Sequence, residues 1–237
     1  MIWQSKLLNK FNEISHGFVS HPYSFPFYFS FKHIPSYLRF FSLVKIFPNR
    51  WVIAEQIHGD NIYVSKIENL SFFPKIANKS DIILTQERKH PLIMFFADCI
   101  PIFVYIPKIR LIGLAHSGWR GTIKKLPKKL ISELKNRYNV SSEDIFIGVG
   151  PSIHSCCFEV KEDFISQLPK EYKKFLIYEK GSVKYDLIAL LLQQLEEEKI
   201  PKENVDISDI CTYCSNAYYS YRRNKTNDRN IAYIFLK

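Results

Sequence analysis

Between Pro91 and Ser117 the chain is almost continuously apolar: "PLIMFFADCIPIFVYIP" runs directly into "RLIGLAHSGWRGT". Branched and aromatic residues dominate both stretches, and short runs of this kind between polar breaks read as buried strands. Such strands need cover on both sides, so the chain has to fold in layers. "DIFIGVGP" and the closing "NIAYIFL" add two more strands of the same kind. "WVIAEQIHGDNIYVSKI" alternates well enough for a strand, a His-Gly-Asp corner and a second strand, and "SDIILT" makes a short buried one.

Helical period appears in two places. "TIKKLPKKLISELKNRY" predicts an amphipathic helix with Thr122 as N-cap, in which Pro127 either falls just after the helix start or kinks it, and "YDLIALLLQQLEEEKI" predicts a second with Asp186 near its start. The first fifty residues mix aromatics and prolines without a clean period, which predicts short strands and turns. No repeat or linker is visible. The expected fold class is α+β, a single multilayered domain over residues 1–237 with mixed β-sheets and flanking helices.

The formal charge of +10 raises the question of nucleic acid. Only nine of the 33 basic residues are Arg, and the lysines are scattered rather than striped. The densest group, Lys124, Lys125, Lys128 and Lys129, reads as the solvated face of a helix. Nucleic acid is therefore not the expected partner. The N-terminal "MIWQSKLLNKFNEI" has no apolar signal region and no stretch is long enough to span a membrane, which predicts a cytoplasmic protein. Five cysteines, an odd number, suit reduced thiols in that compartment.

Three apolar segments end or break at a side chain able to bind a borderline-soft metal: His58, Cys99 and His116. Two imidazoles and a thiolate form a reasonable zinc set, and three protein ligands leave a fourth position open, as catalytic zinc sites do. The same residues also read as two strand-end histidines and a buried cysteine. Asp98, beside Cys99 at a break in an apolar run, has to find hydrogen-bond donors. Cys211 and Cys214, in "CTYC", have redox-motif spacing; no second CxxC accompanies them, since Cys156 and Cys157 are adjacent, and they read as structural. Arg222 and Arg223 stand in the polar loop "SYRRNKTNDR", where one could hold an anion and the other pair with an acidic side chain.

Five segments occur together in a distinctive order: "QIHG" at Gln56, "ADCIPI" at Ala97, "AHSGWRGT" at Ala115, "GPSIHSCCFEV" at Gly150 and "CTYCSNAYYSYRR" at Cys211. From about Arg50 onward the chain resembles the purine nucleoside phosphorylase family formerly described as multicopper polyphenol oxidoreductases, or laccase-domain proteins. The resemblance implies one zinc on His58, Cys99 and His116. It further implies phosphorolysis of adenosine, inosine, guanosine and methylthioadenosine, deamination of adenosine, and a multilayered α+β fold shared with Cys-His hydrolase-like proteins. Purine nucleosides and phosphate are then the expected small-molecule partners. Within that reading Asp98 is the candidate acid/base carboxylate, Arg222 the candidate phosphate contact and Arg120 its reserve. Gly118 and Gly121 would permit close backbone approach, and the helix after Gly121 could add N–H groups for an anion.

The chain departs from the family in its first part. It keeps His16-Gly17-Phe18 but loses the Arg-Gly-Gly-Ser loop that usually follows, and His154 and Asp228 stand where glycine is common. A changed substrate choice follows if the lost loop lines the nucleoside pocket. Three other functions compete with the family's. The first is a metal-free hydrolase with Cys99 as nucleophile and His116 as its base. The second is phenol oxidation with copper, although seven histidines scattered this way supply too few ligands for a multicopper centre. The third is a non-catalytic role, binding RNA or acting in quality control of cell-wall synthesis.

Overall fold

The computed structural model describes residues 2–20, 34–67 and 73–237. The apolar runs become the centres of two six-stranded sheets. The first has the order Ile2–Trp3, Ile14–Val19, Asn230–Leu236, Leu92–Phe96, Val52–Ala54 and Lys75–Ala77. The second has the order Val205–Ile207, Phe146–Val149, Ile100–Ile106, Leu111–Ser117, Ile82–Thr85 and Ile62–Val64. Both contain parallel and antiparallel pairs. A small antiparallel sheet of Glu159–Val160, Ser182–Tyr185 and Leu176–Glu179 stands apart.

Alternation along the strands builds the layers. Ile100, Ile102, Val104 and Ile106 face one side of the second sheet, where they pack with Leu130, Leu134, Leu190 and Leu191 of two helices. Phe103 and Tyr105 face the other side and meet Met94, Phe96 and Ala232 of the first sheet. The outer face of the first sheet, with Ile93, Ile231 and Tyr233, is covered by Phe40 and Val44 of the helix Ile34–Val44. The order of layers is helix, sheet, sheet, helices. This is the expected α+β architecture.

The break at Ala97-Asp98-Cys99 is where the chain leaves one sheet for the other, because Leu92–Phe96 belongs to the first and Ile100–Ile106 to the second. Asp98 takes a left-handed φ of 85° to make the crossing, an unusual conformation for a residue with a side chain.

Two helix expectations need correction. The segment after His116 forms two helices, Trp119–Ile123 and Leu126–Tyr138. They are separated by Lys125 at φ 65°, and Pro127 sits in the first turn of the second, where its missing N–H costs nothing. Gly118, not Thr122, is the N-cap; the Thr122 hydroxyl instead donates to the Gly118 carbonyl at 2.9 Å. The helix Ile34–Val44 was hidden by the aromatic run before it. Asp186 is the N-cap of Leu187–Glu197, accepting from the Ala189 N–H at 2.9 Å. In the lysine cluster, Lys128 pairs with Glu197 and Lys129 with Asp60, which fits a solvated face better than a phosphate stripe. Among the described residues no helix is long and apolar enough to cross a membrane.

The retained His16 has a structural role. Its ring is buried beneath Phe103, and its Nε2 accepts the Ser5 backbone N–H at 2.9 Å, a bond only the neutral imidazole can take. Burial lowers its pKa from 6.5 to about 4. The folded pKa thus lies below the unfolded one, so the unfolded chain takes up the proton first as pH falls. The stability this group contributes is complete above about pH 6.5 and is lost progressively towards about pH 4. Urea unfolding should show a loss of about 3 kcal/mol over that window that is absent in His16→Gln.

Candidate active site

His58, Cys99 and His116 converge: one ligand atom from each lies within 4.8 Å of the others. Each comes from a different part of the fold. His58 sits in the corner after the strand Val52–Ala54, Cys99 at the crossing between sheets, and His116 near the end of Leu111–Ser117. His58 is exposed, Cys99 half-buried and His116 buried. The rings of His58 and His116 meet edge-on with centroids 4.8 Å apart.

Asp81 holds this arrangement. It is fully buried at the head of Ile82–Thr85, and its carboxylate accepts the backbone N–H groups of Ile57, His58 and Gly59 at 3.2, 3.1 and 2.7 Å. It also bonds His116 Nδ1 at 2.7 Å, which leaves the other ring nitrogen for the Cys99 side. One side chain therefore fixes the corner that carries His58, at φ 58°, and the orientation of His116. Gln56 clamps the same corner from the other direction: its amide donates to the Phe95 carbonyl and accepts the Phe95 N–H, both at 2.8 Å. Gly118 passes so close that a Cβ there would lie 2.9 Å from His58 Nδ1 and 3.1 Å from Cys99 Sγ. Gly121 similarly abuts the Gly59 carbonyl, at 3.1 Å from a would-be Cβ. In both places the close approach is to the chain's own atoms.

The electrostatics reinforce the geometry. Burial opposes ionisation of Cys99, but the charge of His116 and hydrogen bonds with His116 and His58 outweigh it and bring the thiol down to about 6. Burial likewise opposes a charged His116, yet Cys99 and Asp81 push its pKa up to about 9. Burial also works against the Asp81 charge, but the His116 contact and the Gly59 and Ile57 N–H groups hold the carboxyl below its usual range. The trio is thus a thiolate between imidazoles, backed by a carboxylate.

A cavity of about 360 Å³ opens beside it, lined by Asp98, Cys99, Trp119, Phe158, Arg222 and Lys225 among others. Its size falls within the range of small-molecule sites. A smaller hollow of about 200 Å³ adjoins it, sharing Trp119, Phe158 and Arg222. A larger depression of about 620 Å³, beside Leu187–Glu197, includes none of the three converging residues.

The structure sorts the remaining candidates. Asp98 is buried at the cavity, and its donors are the Thr212 hydroxyl and the Arg222 backbone N–H, each at 2.7 Å. Arg222 lies over the Phe158 ring at 5.6 Å and spends one N–H on the Glu159 carbonyl at 3.0 Å. Arg120 stacks on Trp119 at 4.2 Å and is not among the cavity's lining residues. The sequence expected one of the two arginines to pair with an acidic side chain; among the described residues Arg223 has no such partner. It binds the carbonyls of Thr212, Tyr213, Ser215 and Tyr218, and so shapes the loop. The first helix after His116 already begins at Trp119, with Gly121 inside it, and the next begins at Leu126, so the helix start expected directly after Gly121 is displaced by a turn. Asp81, Gln56 and Lys225 were missed. The one signal for Asp81 was an acid placed directly before the apolar run Ile82-Ile83-Leu84.

Residues 36–237 match the family described as multi-copper polyphenol oxidoreductase laccase. The chain belongs to that laccase family. Among relatives of this laccase-family chain, the purine nucleoside phosphorylase YlmD of Geobacillus stearothermophilus is 32% identical over 196 residues, which are 78% of this chain and 72% of the relative. A purine nucleoside phosphorylase of Clostridium acetobutylicum is 31% identical over 164 residues, 67% of this chain and 68% of that one. The crystal structure of the Geobacillus YlmD superposes with a TM-score of 0.82 at 26% identity, covering 96% of this chain and 93% of that one. The Bacillus licheniformis protein YfiH gives 0.83 at 25% identity, with 95% and 94% covered.

Proposed function

We propose that this laccase-family chain is a zinc-dependent purine nucleoside phosphorylase that cleaves adenosine, inosine, guanosine and methylthioadenosine with phosphate and also deaminates adenosine. The observation that carries the reading is the convergence of His58, Cys99 and His116 beside a cavity whose wall includes Cys99 together with two cations, Arg222 and Lys225. The names of the relatives supply the substrate class.

The three side chains fit zinc. Two imidazoles and a thiol of lowered pKa, with donor atoms within 4.8 Å and a glycine pressed against them, are a three-ligand donor set with room for a fourth partner. When bound, zinc supplies a Lewis-acid centre at the cavity wall. A copper phenol oxidase needs several metals. Among the described residues only one further group of three or more potential ligands exists, and it consists of cysteines alone.

The chain's own residues account for the rest. Arg222 and Lys225 hold the phosphate by charge-assisted hydrogen bonds. The faces of Trp119 and Phe158 take the flat purine and keep water from it. A phosphate oxygen then forms the bond to C1′ while the C1′–N9 bond breaks, and the purine keeps the electron pair and takes up a proton. Asp98, at the cavity with its carboxylate oriented by Thr212 and Arg222, is the proposed group for moving that proton. Asp81 acts through His116 and the His58 corner and touches no substrate.

Product analysis with adenosine and phosphate tests this reading. Adenine and ribose 1-phosphate should appear together, and Arg222→Met should raise KM for phosphate about tenfold or more with little change in KM for the nucleoside. Base release at the same rate without phosphate would refute it.

A second reading draws on the Cys99–His116 pair itself. A thiolate beside an imidazolium is also the ground state of a Cys-His hydrolase. That enzyme would keep its activity when stripped of metal.

A further inference from the structure

The four cysteines that the active-site trio leaves unused are brought together by the fold. Cys156 and Cys157 lie in the turn that follows Gly150-Pro151, and Cys211 and Cys214 in the loop before Arg222. An isolated bridge joins the two segments: Ser152 pairs with Cys211, and the Thr212 N–H donates to the Ser152 carbonyl at 2.9 Å. Adjacent cysteines on one segment thus meet a CxxC on the other. The missing second pair of the sequence reading is present, in a different spacing.

All four thiols are free, and their sulfurs lie within 4.8 Å of one another. Cys157 and Cys214 approach to 3.2 Å, Cys156 and Cys157 to 3.5 Å, and Cys156 and Cys214 to 3.8 Å. Four sulfurs around a tetrahedral zinc, each at about 2.3 Å from it, sit about 3.8 Å apart. A disulfide would need about 2.05 Å and would join only two of them. We propose that Cys156, Cys157, Cys211 and Cys214 form a second metal site, a closed tetrathiolate centre that takes zinc and ties together the two loops walling the active-site cavity.

The surroundings suit a bound ion. The His154 backbone N–H points at Cys211 Sγ from 3.5 Å, and the N–H groups of Tyr213 and Cys214 also bond this sulfur. Such donors stabilise a thiolate. Burial opposes ionisation of Cys211, but these N–H groups hold its thiol below the usual value. Burial and the crowded sulfurs push Cys157 up and Cys156 up to about 11, so the metal-free cluster retains protons that a divalent cation displaces on binding. With four protein ligands no position is left for substrate, which makes the centre structural. Its place explains its use. One tied segment carries Ile153 and Phe158, the other leads to Tyr221 and Arg222, and all four residues line the cavity. This inference stands apart from the zinc assigned to His58, Cys99 and His116, because it uses none of those residues.

The test is cobalt titration of the full chain carrying Cys99→Ala, stripped of metal and fully reduced. The substitution removes a ligand from the other site, so sulfur-rich absorption can come only from the four cysteines. The expected result is intense visible bands and a thiolate charge-transfer band that saturate at a single ion per chain and disappear when zinc is added. Adding Cys214→Ser should weaken the ion's binding by about 100-fold or more. Alkylation mapped by mass spectrometry gives a second readout in the unaltered chain: zinc should protect all four cysteines together. Absence of the bands, equal alkylation with and without zinc, or a Cys157–Cys214 disulfide in the protein as isolated from cells would each overturn the proposal.

Discussion

On the proposed reading, replacing Cys99 with alanine should remove metal from the site and lower phosphate-dependent cleavage of adenosine by on the order of 10³-fold. Cys99 is the one thiol of the trio, and its pKa of about 6, brought down against burial by the charge of His116 and its hydrogen bonds with His116 and His58, makes it a thiolate at neutral pH before any metal ion binds. Its loss leaves two imidazoles, one exposed and one held by Asp81, which bind a divalent ion far more weakly. The folded structure should survive, because Cys99 is half-buried and alanine fits the space. Metal content by elemental analysis and turnover by chromatography, on the same preparation, report both losses. If turnover falls while chelation of the unaltered protein has no effect, Cys99 is a nucleophile and the hydrolase reading gains.

Asp81→Asn should be nearly as damaging by a different route. The carboxylate accepts three backbone N–H groups and faces His116 Nδ1. An amide has one oxygen to offer, and its NH2 would be turned towards donors. Buried N–H groups would lose partners, and the histidine would lose the carboxylate that fixes its tautomer. The expected cost is about 3 kcal/mol in stability, with metal affinity at His58, Cys99 and His116 reduced by about 10–100-fold. Urea unfolding measures the first and competition with a coloured chelator the second. Unchanged affinity would mean that Asp81 serves the fold alone.

Much of the architecture could be read from periodicity. The strands at Leu92–Phe96, Ile100–Ile106 and Leu111–Ser117 were apparent because burial on both faces leaves a nearly unbroken apolar run. The break at Asp98-Cys99 was legible too, but not that the chain changes sheets there, since sheet membership is a long-range property. The helix Ile34–Val44 escaped because a narrow apolar stripe of Phe40 and Val44 is lost among aromatics that serve other purposes. The positions of His58, Cys99 and His116 at the ends or breaks of apolar segments were legible, whereas Asp81 was not. Its partners lie 22 to 35 residues away, and an acid before a strand looks like a turn residue. Lys225 looked like part of a polar loop until the fold turned it to the cavity. The clustering of the four cysteines was not legible because spacing shows only within a segment, while the fold brings two from each together.

The central claim is a metal-dependent phosphorylase built on His58, Cys99 and His116. Its most direct test follows adenosine and inorganic phosphate together, before chelation, after exhaustive removal of metal, and after zinc is restored. The account predicts adenine and ribose 1-phosphate in equal amounts with matching consumption of phosphate, loss of both products in the stripped protein, and their return with zinc. Cleavage that proceeds without phosphate, or that survives complete removal of metal, would contradict it.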